Sequence, residues 1–192
     1  DPEVKSEVVR QPGPQRVTFL GGLHWPPNAA GIVWFAREVW PQVLQQVPEA
    51  RLTVIGKDPP HALLSQNKNI PNLDVTGYVE DPEPLLAETA VFIVPLHAGG
   101  GMRVKIIDAW SWGLPIVSTT VGAEGILYED GEDLLIADGR DAFAQAVIRM
   151  LTQPILADRL SSAGRQTVET AYNWRTTYRA WNQVYPVEAE KT

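Results

Sequence analysis

Gly99, Gly100 and Gly101 stand in a row, with Met102, Arg103 and Lys105 close behind them. Glycines let backbone N–H groups come close to a ligand, and a helix start adds partial positive charge. Two full cations at the same place complete a cradle for a diphosphate. The alternative is a plain strand-to-helix turn in which Lys105 and Asp108 form an i,i+3 surface pair. The coincidence of glycines, cations and a helix start favours the anion site. Two familiar phosphate motifs do not fit. A P-loop needs Gly-Lys-Ser/Thr, whereas Gly101 is followed by Met102 and Arg103. A dinucleotide fingerprint, G-x-G-x-x-G, is absent from Gly21-Gly22-Leu23-His24, and in the 99–101 run Val104 occupies the place of its last glycine. A nicotinamide enzyme is therefore disfavoured.

Such a loop has to be carried by a sheet. Short β-rich runs lie at 16–22, 51–56, 73–79, 90–96, 114–120 and 131–138, and the run at 90–96 is almost wholly apolar, as expected of a parallel strand buried on both faces. Between them lie helical patterns. The segment from Pro26 to Val47 carries apolar residues at helical spacing, with Asn28 as its expected N-cap and Pro41 expected to kink or divide it. A short helix is expected at 60–66 and another after Asp81 and Pro82; one opened by the glycines and closed by Gly113 comes next, and residues 139–184 read as two or three helical pieces. Six strands alternating with helices predict an α/β, doubly wound parallel sheet. In such sheets ligands bind beyond the carboxyl ends of the strands, which singles out the loops at 21–28, 56–60, 77–81, 96–103 and 120–125.

Composition narrows the chemistry further. The chain has 192 residues, 44% hydrophobic and 20% charged, the make-up of one globular domain. A net charge of −7 argues against a nucleic-acid partner. No apolar stretch approaches the roughly 20 residues that cross a bilayer. Cysteine is absent and the three histidines, His24, His61 and His97, are far apart, so no metal site is expected. Seven tryptophans are unusual. Trp34, Trp40, Trp110, Trp112, Trp174 and Trp181 fall in helical patterns and are expected to pack, whereas Trp25 lies in a loop facing the candidate site.

The stretch GGGMRVKIIDAWSWGLPIVSTTVGAEGI resembles the donor-site segment of GT-B glycosyltransferases, specifically family 4, also called group 1. FLGGLHWPPNAAGIVWF, RLTVIGKDPP, VTGYVEDPEPLLAETAVFIVPL and GEDLLIAD are similar, in that order, to successive β–α units of the same family's C-terminal domain. The resemblance covers about residues 16–185. It implies a Rossmann-like domain of about six strands forming one half of a GT-B fold. Residues 1–15, with Pro2, Pro12 and Pro14, would be a linker from a missing N-terminal acceptor domain, and 186–192 a tail.

The resemblance also implies a chemistry and a set of site residues. The donor would be a nucleotide sugar, UDP- or GDP-linked, and transfer would retain anomeric configuration without a metal or any other cofactor. The acceptor would be a glycan, a lipid or another molecule. By the same resemblance Gly99, Gly100, Gly101, Met102, Arg103 and Lys105 would hold the diphosphate. In the family's Glu-x7-Glu pattern the second acid, which holds the ribose, maps to Asp108, and the first, which contacts the sugar, maps to Gly100. The family's Arg and Lys after the first strand have no counterpart between Gly22 and Asn28, and Arg103 and Lys105 are the candidates to compensate. Tyr78 and Val79 fall where the family holds the nucleobase, although Tyr78 packing a loop is an equal alternative. Gly22, His97 and Glu124 are candidate sugar or phosphate contacts, with a solvated turn acid the alternative for Glu124. No residue is assigned as catalytic. The enzyme would work in the cytoplasm, with attachment to the inner face of a membrane through the missing domain an open extension, and this chain alone would be inactive. Two competing readings are a noncatalytic Rossmann-like nucleotide-binding or scaffold module and a nucleotide-sugar epimerase of GT-B type.

Overall fold

The computed structural model describes residues 7–9, 15–64, 70–101 and 103–173. Met102, Trp174, Trp181, most of the expected linker and the tail at 186–192 lie outside them.

Among the described residues six parallel strands form one sheet: β1 (Arg16–Leu20), β2 (Arg51–Ile55), β3 (Leu73–Gly77), β4 (Thr89–Val94), β5 (Ile116–Ser118) and β6 (Leu135–Ile136). Their order across the sheet is β3-β2-β1-β4-β5-β6. Among the described residues seven α-helices connect or follow the strands: α1 (Pro26–Trp34), α2 (Trp40–Gln46), α3 (His61–Leu64), α4 (Glu83–Ala87), α5 (Val104–Ser111), α6 (Arg140–Thr152) and α7 (Pro154–Ala171). The fold class is as expected: an α/β, Rossmann-like, doubly wound parallel sheet.

Side chains alternate along each strand, so the sheet feeds two cores. Val17, Phe19, Val91 and Ile93 join α1, α2 and α6 in one core; Phe92, Val94 and Ile116 join α5 and α7 in the other. In the second core α7 lies so close to α5 that a Cβ on Gly164 would stand 2.2 Å from the Trp110 ring. Trp40 and Trp110 are fully buried, and each indole N–H is satisfied by a backbone carbonyl, of Pro71 and Asp133 respectively.

Pro41 divides its helix as expected, and the manner is specific. Residues Phe35–Val39 form one π-helical turn between α1 and α2, closed by Trp40 N–H donating to the Phe35 carbonyl. Proline cannot donate its own bond, and the widened turn absorbs the interruption.

Three local expectations need correction. Asn28 is not an N-cap: the cap position is Trp25, prolines fill the first turn, and Asn28 lies buried inside α1. The glycines do not open α5; they form a loop of their own, and α5 begins after Arg103. The third strand ends at Gly77, whose φ of +73° turns the chain, so Tyr78 and Val79 lie beyond it.

Candidate functional site

The strand order reverses between β1 and β4, and this switch point is where the loops after two neighbouring strands part to leave a crevice. Gly21 and Gly22 follow β1 and the 97–101 loop follows β4. Between the loop after β1 and the start of α5 lies a pocket of about 240 Å³, lined by Leu20, Gly21, Gly22, Asn28, Phe92, Val104, Lys105, Asp108 and Trp112. The loop after β2 packs tightly against its neighbour, since a Cβ on Gly56 would stand 1.9 Å from the Gly21 carbonyl oxygen. Gly21 in turn donates its N–H to Ile55. These close approaches fix the rim of the pocket in backbone rather than in side chains.

Lys105 is the cation of this pocket. Its Nζ donates to Asn28 Oδ1 at 2.6 Å and lies 4.7 Å from the centre of the Phe19 ring. Burial, followed by repulsion from Arg103, lowers its pKa from 10.5 to about 8. Asp108 lies one turn further along α5 and lines the same pocket. Their i,i+3 spacing puts both on one side of α5, but the pair faces the pocket rather than bulk solvent.

Arg103 has a different role from Lys105. Only 4% exposed, it donates from Nε to the Val121 carbonyl, from Nη1 to the Gly100 carbonyl and from Nη2 to Glu124 Oε2 at 3.3 Å. The guanidinium thus ties the glycine loop to the 3-10 turn at Val121–Ala123 that follows β5. Gly99, at φ +124°, and Gly101, at φ +82°, adopt backbone conformations open to glycine, and nothing stands within 4 Å of where Cβ atoms on Gly100 and Gly101 would be. The Trp25 ring covers Gly99: a Cβ there would meet it at 3.0 Å. Trp25 is 37% exposed and closes the side of the glycine loop, in keeping with its position in the sequence.

A wider concavity of about 520 Å³ opens on the β5 side of the same loop, lined among others by His97, Gly99, Thr120, Glu124 and Tyr128. His97 stands edge-on to Trp34, ring centres 4.3 Å apart. The Asp138 carboxylate accepts the Thr120 hydroxyl and backbone N–H, and these bonds, with a smaller contribution from His97, hold it below the usual carboxylate range. Gly22 lies on the pocket rim with His24 packed over it. Tyr78 is 72% exposed beyond the edge strand β3, so it presents a free ring face rather than packing the loop.

The structure therefore gathers Gly22, Lys105 and Asp108 around one pocket, and His97, Gly99 and Glu124 around its neighbour, with Arg103 between. Met102 is outside the described residues. Sequence pattern does not mark Asn28 and Trp34 as site residues, because each sits in a helical apolar pattern that reads as packing. Among the described residues no cluster of His, Asp or Glu could hold a metal, and no helix is long and apolar enough to cross a membrane.

Comparison with known proteins supplies the family. A Klebsiella pneumoniae protein described as an uncharacterized 44.6 kDa protein in the cps region is 30% identical over 139 residues, 69% of this chain and 36% of the relative. A phosphatidyl-myo-inositol mannosyltransferase of Mycobacterium leprae is 24% identical over 178 residues, 90% of this chain and 46% of the relative. The chain thus spans less than half the length of these curated relatives. Anabaena HepE, solved in complex with UDP-glucose, shares the fold with a TM-score of 0.73 at 14% identity, covering 90% of this chain and 49% of that one. The family model for glycosyl transferases group 1 matches residues 14–153, and with that match spanning the sheet, the pocket and the glycine loop, this chain belongs to the group 1 glycosyltransferases.

Proposed function

We propose that this chain is the donor-binding half of a glycosyltransferase, gripping a UDP- or GDP-linked sugar for retaining, metal-independent transfer to a glycan, lipid or other acceptor bound largely by a second domain. The observation that carries this reading is the pocket at the β1/β4 switch point, where Lys105, Asp108 and the Gly21-Gly22 loop converge, with the 97–101 loop lining the neighbouring concavity. Lys105 and the backbone of Gly22 and Gly99–Gly101 would receive the diphosphate, and the Asp108 carboxylate would accept the ribose hydroxyls. Tyr78 and Val79, in the loop after β3, are the proposed nucleobase contacts. Departure of the diphosphate builds negative charge on the leaving group, and a fixed cation and aligned N–H groups stabilise that charge without reorganising. No cofactor is required by this chemistry. Such an enzyme would work where nucleotide sugars are made, in the cytoplasm, including at the inner face of a membrane if its acceptor is a lipid.

Gly100 lacks the family's carboxylate for the sugar, and Glu124 is the proposed replacement. Arg103 donates to the Gly100 carbonyl with one nitrogen and to Glu124 with another, which sets the Glu124 carboxylate beside the vacated position. Glu124 and His97 are the proposed sugar contacts.

The missing acid at Gly100 also favours a second reading, a noncatalytic nucleotide-binding module. Two experiments separate the cases. Titration of the chain with UDP, GDP and their glucose and mannose conjugates should shift amide resonances in the 97–108 segment; no shift with any of them contradicts donor binding. Transfer activity of the full-length protein on nucleotide sugars supports the enzyme; binding without turnover supports the module.

A further inference from the structure

Lys105 is an unusual cation. It is largely buried, yet among the described residues no carboxylate lies within ion-pair distance and its hydrogen-bond acceptor is a neutral amide, Asn28 Oδ1 at 2.6 Å. Arg103, close by on the same chain segment, repels it. A buried ammonium without a compensating anion is costly to fold, so its persistence points to a ligand that supplies the anion.

The amide that holds it is itself fixed. Asn28 is 5% exposed inside α1, and its Nδ2 donates to the Gly22 carbonyl at 2.9 Å. That bond sets which face of the amide carries the oxygen, so Oδ1 turns towards Lys105. Gly21 completes the arrangement: a Cβ there would lie 3.1 Å from both Asn28 Nδ2 and Lys105 Nζ. One acceptor and one aromatic face, that of Phe19, engage an ammonium that has three N–H donors. Among the described residues nothing else accepts from Lys105, which leaves its other donors for the pocket.

Resting on the donor-binding reading, we propose that Asn28 is a positioning residue, reaching from α1 across the switch-point crevice to aim the Lys105 ammonium of α5 at the phosphate groups of the donor. The cation missing from the loop between Gly22 and Asn28 is thus supplied from the opposite wall, and α1 contributes the amide that holds it in place. Asn28 does not touch the reacting atoms; it acts through Lys105.

A double-mutant cycle tests this. Affinities for UDP and GDP, and for uridine and guanosine, are measured by calorimetry on the chain with Asn28→Ala, Lys105→Met and both. The expected result is a loss of roughly tenfold for the diphosphate in Asn28→Ala, with the nucleoside unchanged and no further loss when Lys105 is already Met. Asn28→Gln, which keeps the amide but shifts it by one methylene, should lose affinity in the same diphosphate-selective way; it serves if Asn28→Ala does not fold. Equal losses for nucleoside and diphosphate, or a loss that persists in the Lys105→Met background, overturn the assignment of Asn28 while the donor-binding reading stands. A wild-type chain that binds neither nucleoside diphosphate overturns both.

Discussion

At the scale of single residues, Lys105 carries a measurable cost. Its pKa falls from 10.5 to about 8 on folding, chiefly through burial, so between those values the unfolded chain binds more protons than the folded one. Stability should therefore rise with pH from about 8 to 10.5, by an amount on the order of 3 kcal/mol at about 1.4 kcal/mol per pKa unit. Lys105→Met should flatten that rise and stabilise the empty chain at pH 7 while weakening diphosphate binding, as measured by chemical melts across that pH range. A gain in stability paired with a loss of affinity is what a residue kept for a ligand shows. Binding a diphosphate should also return the proton, so calorimetry at pH 8.5 in buffers of different ionisation enthalpy should report net proton uptake. Arg103 acts differently. Arg103→Ala removes the brace between Gly100 and Val121, and should speed amide exchange in the 99–101 and 121–124 segments as well as weakening diphosphate binding by roughly tenfold. The glycines and cations of this site are legible in the sequence as types; their division of labour is not. Arg103 and Lys105 are two residues apart, yet one turns into the loop and the other into the pocket, a difference fixed by contacts with Val121 and Asn28 that lie far off in the chain.

At the scale of elements, backbone proximity sets the tolerances. A Cβ on Gly31 would stand 2.3 Å from the Pro95 carbonyl oxygen, so α1 lies directly on the end of β4. Gly31→Ala should force these two apart, destabilise the chain by about 2 kcal/mol and widen the crevice, measured by denaturant melts and by weaker nucleotide binding together. Gly100→Ala, where nothing stands within 4 Å, should leave stability within about 0.5 kcal/mol of the parent. The strands are readable because their apolar runs are short and bounded by Gly and Pro, but their ends are not. The run at 114–120 forms only Ile116–Ser118 and that at 131–138 only Leu135–Ile136, because flanking residues bond in turns rather than in the ladder. Leu114, for instance, donates its N–H back to the Ala109 carbonyl and Gly131 to the Leu134 carbonyl. Asn28 is hard to read for a related reason. Two prolines ahead of it mimic a capping sequence, and only the approach of β1 and α5 shows that its amide is needed inside.

At the scale of the whole molecule, the order β3-β2-β1-β4-β5-β6 brings the two glycine-bearing loops together although nearly eighty residues separate Gly21 from Gly99. Alternating strands and helices predict the parallel sheet, whereas its strand order, and hence the crevice, is a tertiary result. Two cores, one on each face, support that sheet. The central claim is that the crevice between β1 and β4 receives a nucleoside diphosphate. Its most direct test is a titration of the isotopically labelled chain with UDP and with GDP, followed at the backbone amides. Saturable shifts at Gly21, Gly22 and residues 99–108, reduced in Lys105→Met, are the predicted result; shifts absent from those loops, or unchanged in Lys105→Met, would contradict it.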